Sequence, residues 1–437
     1  MNEHRLLFEG IDVPDVDRYH VYRRRGGGGL ARALALGPEG VVEEVTASGL
    51  LGRGGSWRPV GERWKALRER GGARYLVTDL LEPEPARFRD RKLAERHPHR
   101  LLEGVRIAAL ATGASAAFLC IRADAVRARK ALAVALAELR ESGEVGGHGL
   151  PIHLHPVPGS LPVAAGDSLA LNLIEGGRPE PRAADGTRGP ATSLFGEPAA
   201  VHTASTLGYL PQVMAGGSAA FRAVGSASAP GTQVFCISGL VRRPGLYEVA
   251  LGSGTFRGLV EGLAGGTLDG RPLKFVLHSG YGSRPVLREA DLDRPVDPGA
   301  WSSPGGGGLE GDFGSGAVIV ADETVCAVDT ARLVASYLAG ASCALCTPCR
   351  EGLAWAAGVL QRLEAGAPKA GELEQLRSRA ASLTSPLAMC GHGPLGGSAV
   401  SALATAFAEE FEAHLHGGCP VAKDLSMKSP ESIHVRF

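Results

Sequence analysis

The chain has 437 residues, with 46 Lys and Arg against 46 Asp and Glu, and 44% hydrophobic residues. That length predicts two to four domains around a large core, and the charge balance argues against a nucleic-acid partner. No run of 18 apolar residues exists to insert in a membrane, and the start, Met-Asn-Glu-His-Arg, lacks a signal-peptide pattern, so a cytoplasmic location is expected. Residues 1–45 read as an irregular N-terminal arm with short strands and a glycine loop at Gly26–Gly29, then a helical pattern at Leu30–Leu36. Residues 46–230 read as an α/β domain: strand Arg74–Asp79, helix Leu101–Thr112, strand Ala116–Arg122, amphipathic helix Ala125–Ser142 and strand Pro151–Pro156. This alternation predicts a parallel sheet with helices packed on it. Residues 178–192, rich in Arg, Pro and Gly, read as a surface loop.

Residues 232–300 change character. Strands at Val234–Gly239, Gly245–Val249 and Leu273–Leu277, with a short helix at Thr255–Gly262, describe a ubiquitin-like (β-grasp) module. A linker-and-strand segment, 301–330, holds a glycine-rich stretch over 302–312 and a strand at Ala317–Val320. A helical domain, 331–418, opens with a helix at Ala331–Leu338 and is helical again from Glu351 on. Its last helix is expected over Ser398–His416, where Val400, Leu403, Phe407, Phe411 and Leu415 recur at spacings of three and four. Gly417-Gly418 ends it as a glycine cap would, and 419–437 is an extended tail. The fold class is multidomain α+β.

Four of the eight cysteines form one motif: Cys343, Cys346 and Cys349 in C-x-x-C-x-x-C, and Cys390 from a distant segment. Four thiolates with three so close suit a 4Fe–4S cluster. Zinc more often uses two separated pairs and is the alternative, with unligated thiols a third reading. An iron–sulfur cluster moves single electrons, so the motif implies redox chemistry. Cys120, Cys236 and Cys326 sit in apolar runs and read as buried free thiols; Cys419, in Gly-Gly-Cys-Pro, reads as a spare thiol on the tail or a contact near a partner. His97, His99, His153, His155 and His202 lack any metal-site context and read as packing residues. His392, two residues after Cys390, reads either as a hydrogen-bond partner near the cluster or as a surface residue. Gly305–Gly308 lacks the Lys-Ser/Thr of a phosphate loop and reads as linker.

The segment Ser342-Cys343-Ala344-Leu345-Cys346-Thr347-Pro348-Cys349-Arg350-Glu351-Gly352, followed by Cys390, resembles S-C-G-x-C-T-P-C-R-E-G of the flavoprotein subunit of respiratory complex I. Related subunits occur in NAD-linked hydrogenases and formate dehydrogenases. Ser238-Gly239 and Arg243-Pro244-Gly245-Leu246-Tyr247-Glu248 resemble that family's soluble-ligand-binding β-grasp domain. The resemblance spans about residues 40–418. It implies an oxidoreductase subunit with FMN, an NADH site and one 4Fe–4S cluster on Cys343, Cys346, Cys349 and Cys390. It also implies electron-transfer partners, a thioredoxin-like 2Fe–2S subunit and a ferredoxin-like multi-cluster subunit, and attachment to a membrane complex through them.

The departures from the family pattern gather around the nucleotide. The flavin loop keeps Gly52, Arg53, Gly54 and Gly55, a backbone cradle for phosphate with Arg53 adding charge. Trp57 and Arg58 replace the family's final glycine and phenylalanine, and Arg63 replaces its lysine. In the next segment Asp79 replaces an asparagine facing the flavin and Leu81 an aspartate, while Glu82, Glu84, Phe88, Asp90 and Arg91 remain. In the third loop Pro162 replaces a tyrosine, Ala165 a glycine, and Gly166-Asp167 two glutamates. In the fourth, His202-Thr203 replaces two asparagines. The cofactor-contacting set implied is therefore Gly52, Arg53, Gly54, Gly55, Arg63, Asp79, Glu82, Glu84, Asp167, His202 and Thr203, with no catalytic residue assigned. Ring recognition should suffer more than phosphate recognition. Two readings follow: a relay subunit whose own NADH oxidation is lost, or a working NADH:acceptor flavoenzyme with a rewritten site. The basic group Arg53, Arg58, Arg63, Arg87 and Arg89 either holds an anion or faces solvent or an acidic partner surface.

Overall fold

The computed structural model describes residues 1–25, 28–143, 149–159, 161–162, 167–182, 192–279, 286–301, 313–383, 387–417 and 419–421. Gly26–Gly27, Ala165 and Gly166, most of the expected loop 178–192, the glycine stretch 302–312 with Gly305–Gly308, Gly418 and the tail beyond 421 lie outside the described residues.

The N-terminal segment holds no strand among its described residues. It carries α1 (Tyr19–Arg24) and then α2 (Gly29–Ser48), much longer than the pattern at 30–36 suggests. Gly37, at φ 70°, and Pro38 kink α2, which hid its length: proline removes a backbone donor and breaks the apolar period. After α3 (Val60–Arg68) comes the alternation expected from sequence: β1 (Tyr75–Leu80), α4 (Arg89–Arg96), α5 (Pro98–Thr112), β2 (Ala116–Arg122), α6 (Val126–Glu141) and β3 (Ile152–Val157). Then α7 (Asp167–Ile174), β4 (Ser193–Leu194), β5 (Glu197–Thr203), α8 (Ala204–Gly208), α9 (Leu210–Gly216) and α10 (Ser218–Arg222) complete the unit.

Its sheet runs β3-β2-β1-β5-β4, with β1 parallel to both β2 and β5. From β1 the chain moves outward through β2 and β3, then returns to pair β5 on the other side of β1. That reversal is a topological switch point, where open α/β sheets bind ligands beyond their strand C-termini. The strand interiors are apolar because both faces are covered: Leu76, Val77 and Leu80 on β1, and Leu119, Cys120 and Ile121 on β2, are buried.

The second sheet, β7-β6-β9-β8, comprises β6 (Thr232–Gly239), β7 (Gly245–Ala250), β8 (Leu273–His278) and β9 (Ala317–Asp322). The helix expected at Thr255–Gly262 is a wider π-helical turn at Gly258–Leu263. β9, expected within a linker, lies between β6, to which it is parallel, and β8, to which it is antiparallel. Val318 and Val320, fully buried or nearly so, pack into the same core as Phe235 and Ile237. The sheet is therefore incomplete without residues beyond 300.

The C-terminal bundle holds α11 (Ala327–Gly340), a π-helical turn at Pro348–Leu353, α12 (Ala354–Glu364), α13 (Glu372–Ser382), α14 (His392–Ala406) and α15 (Ala408–Leu415). The single helix expected over Ser398–His416 is two, broken at Phe407 with φ −126° and ψ 40°. The break seats the Phe407 ring 5.3 Å from Phe275 and beneath the cations of Lys274 and Arg288.

Candidate flavin cleft and iron–sulfur centre

The C-terminal ends of β1 and β5 meet in register, Asp79 opposite Thr203, at the switch point. The glycine loop lies across this edge. The Gly52 N–H donates to the Arg58 carbonyl at 2.8 Å, closing a narrow turn, and Gly55 holds φ 104°, a conformation glycine adopts without steric cost. A Cβ on Gly54 would stand 3.0 Å from Thr203 Cγ2, so the loop backbone sits close against β5. Thr203 caps α8. Arg63 and Asp167, from two separate sequence loops, form an ion pair of 2.6 Å. Asp79 Oδ1 accepts the Leu81 N–H at 2.8 Å, and burial pushes its carboxyl up to about 6.

Other residues expected at the cofactor face inward. Arg53 is fully buried: its guanidinium lies 5.2 Å from the Trp57 ring and 5.4 Å from the Tyr209 ring, and Nη2 donates to the Pro230 carbonyl at 2.6 Å. Burial lowers it to about 10. Two aromatic faces and a carbonyl draw this charge into the core, so the loop presents backbone rather than the Arg53 side chain. Glu82 accepts the N–H groups of Asp90 (2.7 Å) and Arg91 (3.1 Å), capping α4. Glu84 accepts from Arg87 Nη1 and Ser315 Oγ, each at 2.7 Å. Both carboxylates are thus engaged by donors of their own chain. Burial and the neighbouring Asp90 raise Glu82, while Arg87 and Arg89 hold Asp90 below the usual carboxylate range despite its burial. His202 is buried behind the sheet, where its Nε2 accepts the Trp64 indole N–H at 2.8 Å; burial and then Arg63 keep it neutral. Trp57 turns to the β-grasp side, donating to the Gly314 carbonyl at 3.1 Å.

The basic group therefore divides. Arg53, Arg87 and Arg89 are buried and partnered, Arg63 is paired at the cleft, and Arg58 is exposed. Asp90 was missed as an organiser: Arg87 donates to it at 2.8 Å and the Ser205 N–H at 2.6 Å. Its spacing of three residues from Arg87 was the available signal.

Below α11 the cysteine loop folds on itself. Cys349 is buried; Cys343, Cys346 and Cys390 are half-buried. Burial, then the neighbouring Cys390, Cys346 and Cys343, push Cys349 up to about 11, and burial with Cys343 and Cys346 raises Cys390. Cys349 and Cys390, each raised by the other cysteines beside it, fit a site whose charge is neutralised by bound iron. Ser342 hydrogen-bonds the Cys349 sulfur and the His392 backbone N–H the Cys390 sulfur. The His392 ring is buried and its Nε2–H donates to the Leu338 carbonyl at 2.8 Å, which removes the surface reading. Cys120 and Cys236 are buried thiols away from this centre. Tyr337, on the helix leading to Cys343, donates its hydroxyl to the Pro83 carbonyl between Glu82 and Glu84, tying the two regions.

Residues 45–206 match the Nuo51 FMN-binding domain, and residues 329–414 match the NADH-ubiquinone oxidoreductase-F iron-sulfur binding region. The chain is similar to an F subunit of NADH-quinone oxidoreductase in Rhizobium meliloti, 36% identical with 94% of this chain and 97% of the relative covered. It is 34% identical to the F subunit of NADH-quinone oxidoreductase in Streptomyces coelicolor, over 92% of this chain and 89% of that one. Among solved structures it resembles an NAD+-reducing [NiFe]-hydrogenase in the H2-reduced state: TM-score 0.79, 26% identity, 94% of this chain and 67% of the other.

Proposed function

The chain belongs to the family of NADH-quinone oxidoreductase F subunits, and on that premise we propose that it relays electrons from a flavin cleft to the cluster while its own oxidation of NADH is weak or lost. The observation that carries this reading is the Tyr337–Pro83 tie, which joins the segment of Glu82 and Glu84 to the helix ahead of the cysteine loop. FMN, when bound, supplies the conversion between hydride and single electrons. The backbone of Gly52–Gly55 would hold its phosphate, and Asp79, Thr203 and the Arg63–Asp167 pair would be the further residues available to it. Cys343, Cys346, Cys349 and Cys390 would carry the 4Fe–4S cluster, with the Ser342 and His392 hydrogen bonds setting sulfur basicity.

Weak NADH recognition follows from the missing donors. Each buried group left unpaired costs about 1–3 kcal/mol, and a micromolar site has only about 8 kcal/mol. His202, standing where the family pattern has an asparagine amide, is committed to Trp64. The relatives are subunits of multisubunit oxidoreductases, so partner subunits are implied; we assign them to the thioredoxin-like 2Fe–2S and ferredoxin-like classes. We place the chain in the cytoplasm, attached to a membrane complex through those partners. No described helix is long and apolar enough to cross a membrane. The test is anaerobic purification, iron, sulfide and flavin assay, then titration with FMN and with NADH while stopped-flow absorbance follows the cluster. Flavin and iron with slow NADH reduction is expected. Rapid reduction by micromolar NADH makes the chain a working flavoenzyme, and zinc in place of iron at the four cysteines removes the redox reading altogether.

A further inference from the structure

Cys326, His414 and Cys419 have ligand atoms all within 4.8 Å of one another, remote in sequence from the cluster cysteines. Glu364 adds a fourth donor: its Oε2 lies 3.6 Å from Cys326 Sγ and 3.3 Å from His414 Nε2. Cys326 Sγ and His414 Nε2 are 3.6 Å apart. Cys326 and His414 are buried, while Glu364 and Cys419 are partly so. From these residues we propose a second metal site, a structural zinc bound by Cys326, Glu364, His414 and Cys419.

The spacing suits that ion. A tetrahedral zinc with its ordinary bonds to sulfur, nitrogen and oxygen sets ligand edges of roughly 3.6 Å for S–N, 3.6 Å for S–O and 3.4 Å for N–O. The three edges in the structure, 3.6 Å, 3.6 Å and 3.3 Å, follow those values. The histidine is also oriented for the role. Its Nδ1–H donates to the Glu410 carbonyl at 2.7 Å, which leaves the Nε2 lone pair facing the carboxylate and the sulfur. Two acceptors 3.3 Å apart in a buried place need a cation or a proton between them. The Cys326 sulfur is prepared as well: it accepts the Asp329 N–H at 3.3 Å as the N-cap of α11, where the helix favours negative charge. Glu410 steadies both sides, its carboxylate accepting the Ala327 N–H at 2.7 Å while its carbonyl holds the imidazole.

The four ligands come from the start of α11, the end of α12, the end of α15 and the chain just after it. All four positions are filled by protein, the arrangement of a structural rather than a catalytic zinc. The site would pin the segment carrying Cys419 to the bundle, at the end of α11 opposite the cysteine loop. Cys419 is thus brought into the fold, against the reading of a spare thiol, and Cys326 is a prospective ligand rather than a plain buried thiol.

The test is elemental analysis and zinc-edge X-ray absorption on the full chain, purified anaerobically in buffer with micromolar zinc. About one zinc per chain with two sulfur and two nitrogen or oxygen neighbours is expected. Cys346→Ser should lose iron and keep the zinc. Cys419→Ser, on a segment outside the helices, should keep iron content and helical signal while retaining zinc at least roughly tenfold more weakly. His414→Ala should act alike. Wild-type protein without zinc overturns the proposal. So does zinc retained unchanged in both Cys419→Ser and His414→Ala, or a Cys326–Cys419 disulfide found by mass spectrometry of the unreduced protein.

Discussion

Ala344 sits between Cys343 and Cys346 at φ 59°, where a side chain costs roughly 1–2 kcal/mol. The family pattern has glycine there. Glycine carries an entropic cost of about 0.5–1 kcal/mol, so Ala344→Gly should stabilise the folded chain by about 0.5–1 kcal/mol. Thermal melting of the iron-loaded protein checks this, and a lower midpoint would place the strain elsewhere. The neighbouring Cys346→Ser should remove the cluster and lower the melting temperature of the bundle, since ligand and fold are coupled; unchanged iron content would exclude this cysteine as a ligand. Asp79 carries a pH signature. Its carboxyl titrates at about 6 in the fold against an ordinary 3.8 because burial disfavours the charge. The folded state therefore holds the proton more tightly than the unfolded state. That contribution is full below the ordinary value, is lost as pH rises to about 6, and is absent at neutral pH. Asp79→Asn should raise the melting temperature at pH 7, change it little at pH 4, and flatten the slope between. Equal shifts at both pH values would point to the Leu81 hydrogen bond instead of the charge. The cysteine spacing that frames Ala344 was legible in the sequence because it is local. The inward turn of Arg53 and His202 was not, since residue type and spacing say nothing of which side of a loop or strand a side chain takes.

Helix α14 packs unusually closely. A Cβ on Gly397 would lie 2.4 Å from the Ala380 carbonyl oxygen and 2.8 Å from Leu383 Cβ, so backbone stands where a side chain would go. Gly397→Ala should cost about 1–3 kcal/mol through overpacking, with denaturant unfolding as the measure; a neutral result would mean that α13 can move away. Tyr337 of α11 offers the other test at this scale. Tyr337→Phe removes the donor to Pro83 and should cost about 0.5–1.5 kcal/mol while leaving iron content unchanged. Loss of iron would show that the residue supports the cluster loop rather than the link to the cleft. The regular strands and helices of the α/β unit could be read from their periodicity. The break at Phe407 and the kink at Gly37 could not be placed as well: the first is driven by Phe275, Lys274 and Arg288 from other segments, and the second interrupts the very period that marks a helix.

Across the whole molecule, single buried polar groups join the units. Glu248 of β7 accepts the backbone N–H groups of Leu6 (3.0 Å), Leu7 (2.7 Å) and Phe8 (2.8 Å), holding the N-terminal segment on the β-grasp sheet. Arg89 donates to the carbonyls of Arg53, Ser315 and Val234, and so bridges the glycine loop, α4 and the β-grasp module. Glu248→Ala leaves the N–H groups of Leu6, Leu7 and Phe8, and the hydroxyls of Thr232 and Tyr209, without this acceptor. Hydrogen exchange at residues 6–8 should quicken markedly while the cluster spectrum stays unchanged; unaltered exchange would mean that the segment is held by Leu7 and Phe8 packing alone.

The sequence by itself determined what is encoded over short stretches. The thiol spacing gave the cluster motif, the strand–helix alternation the parallel sheet, and short strands with turns most of the β-grasp module. The glycine loop marked the flavin-domain edge. Only the tertiary structure decided what depends on partners far along the chain. It set the switch point between β1 and β5 and put β9 inside the second sheet. It also turned Arg53, Arg89 and His202 into the core, and gathered Cys326, Glu364, His414 and Cys419 into one site. Local patterns follow backbone geometry and repeat at fixed intervals, whereas long-range neighbours are chosen by which buried faces and charges can be satisfied together.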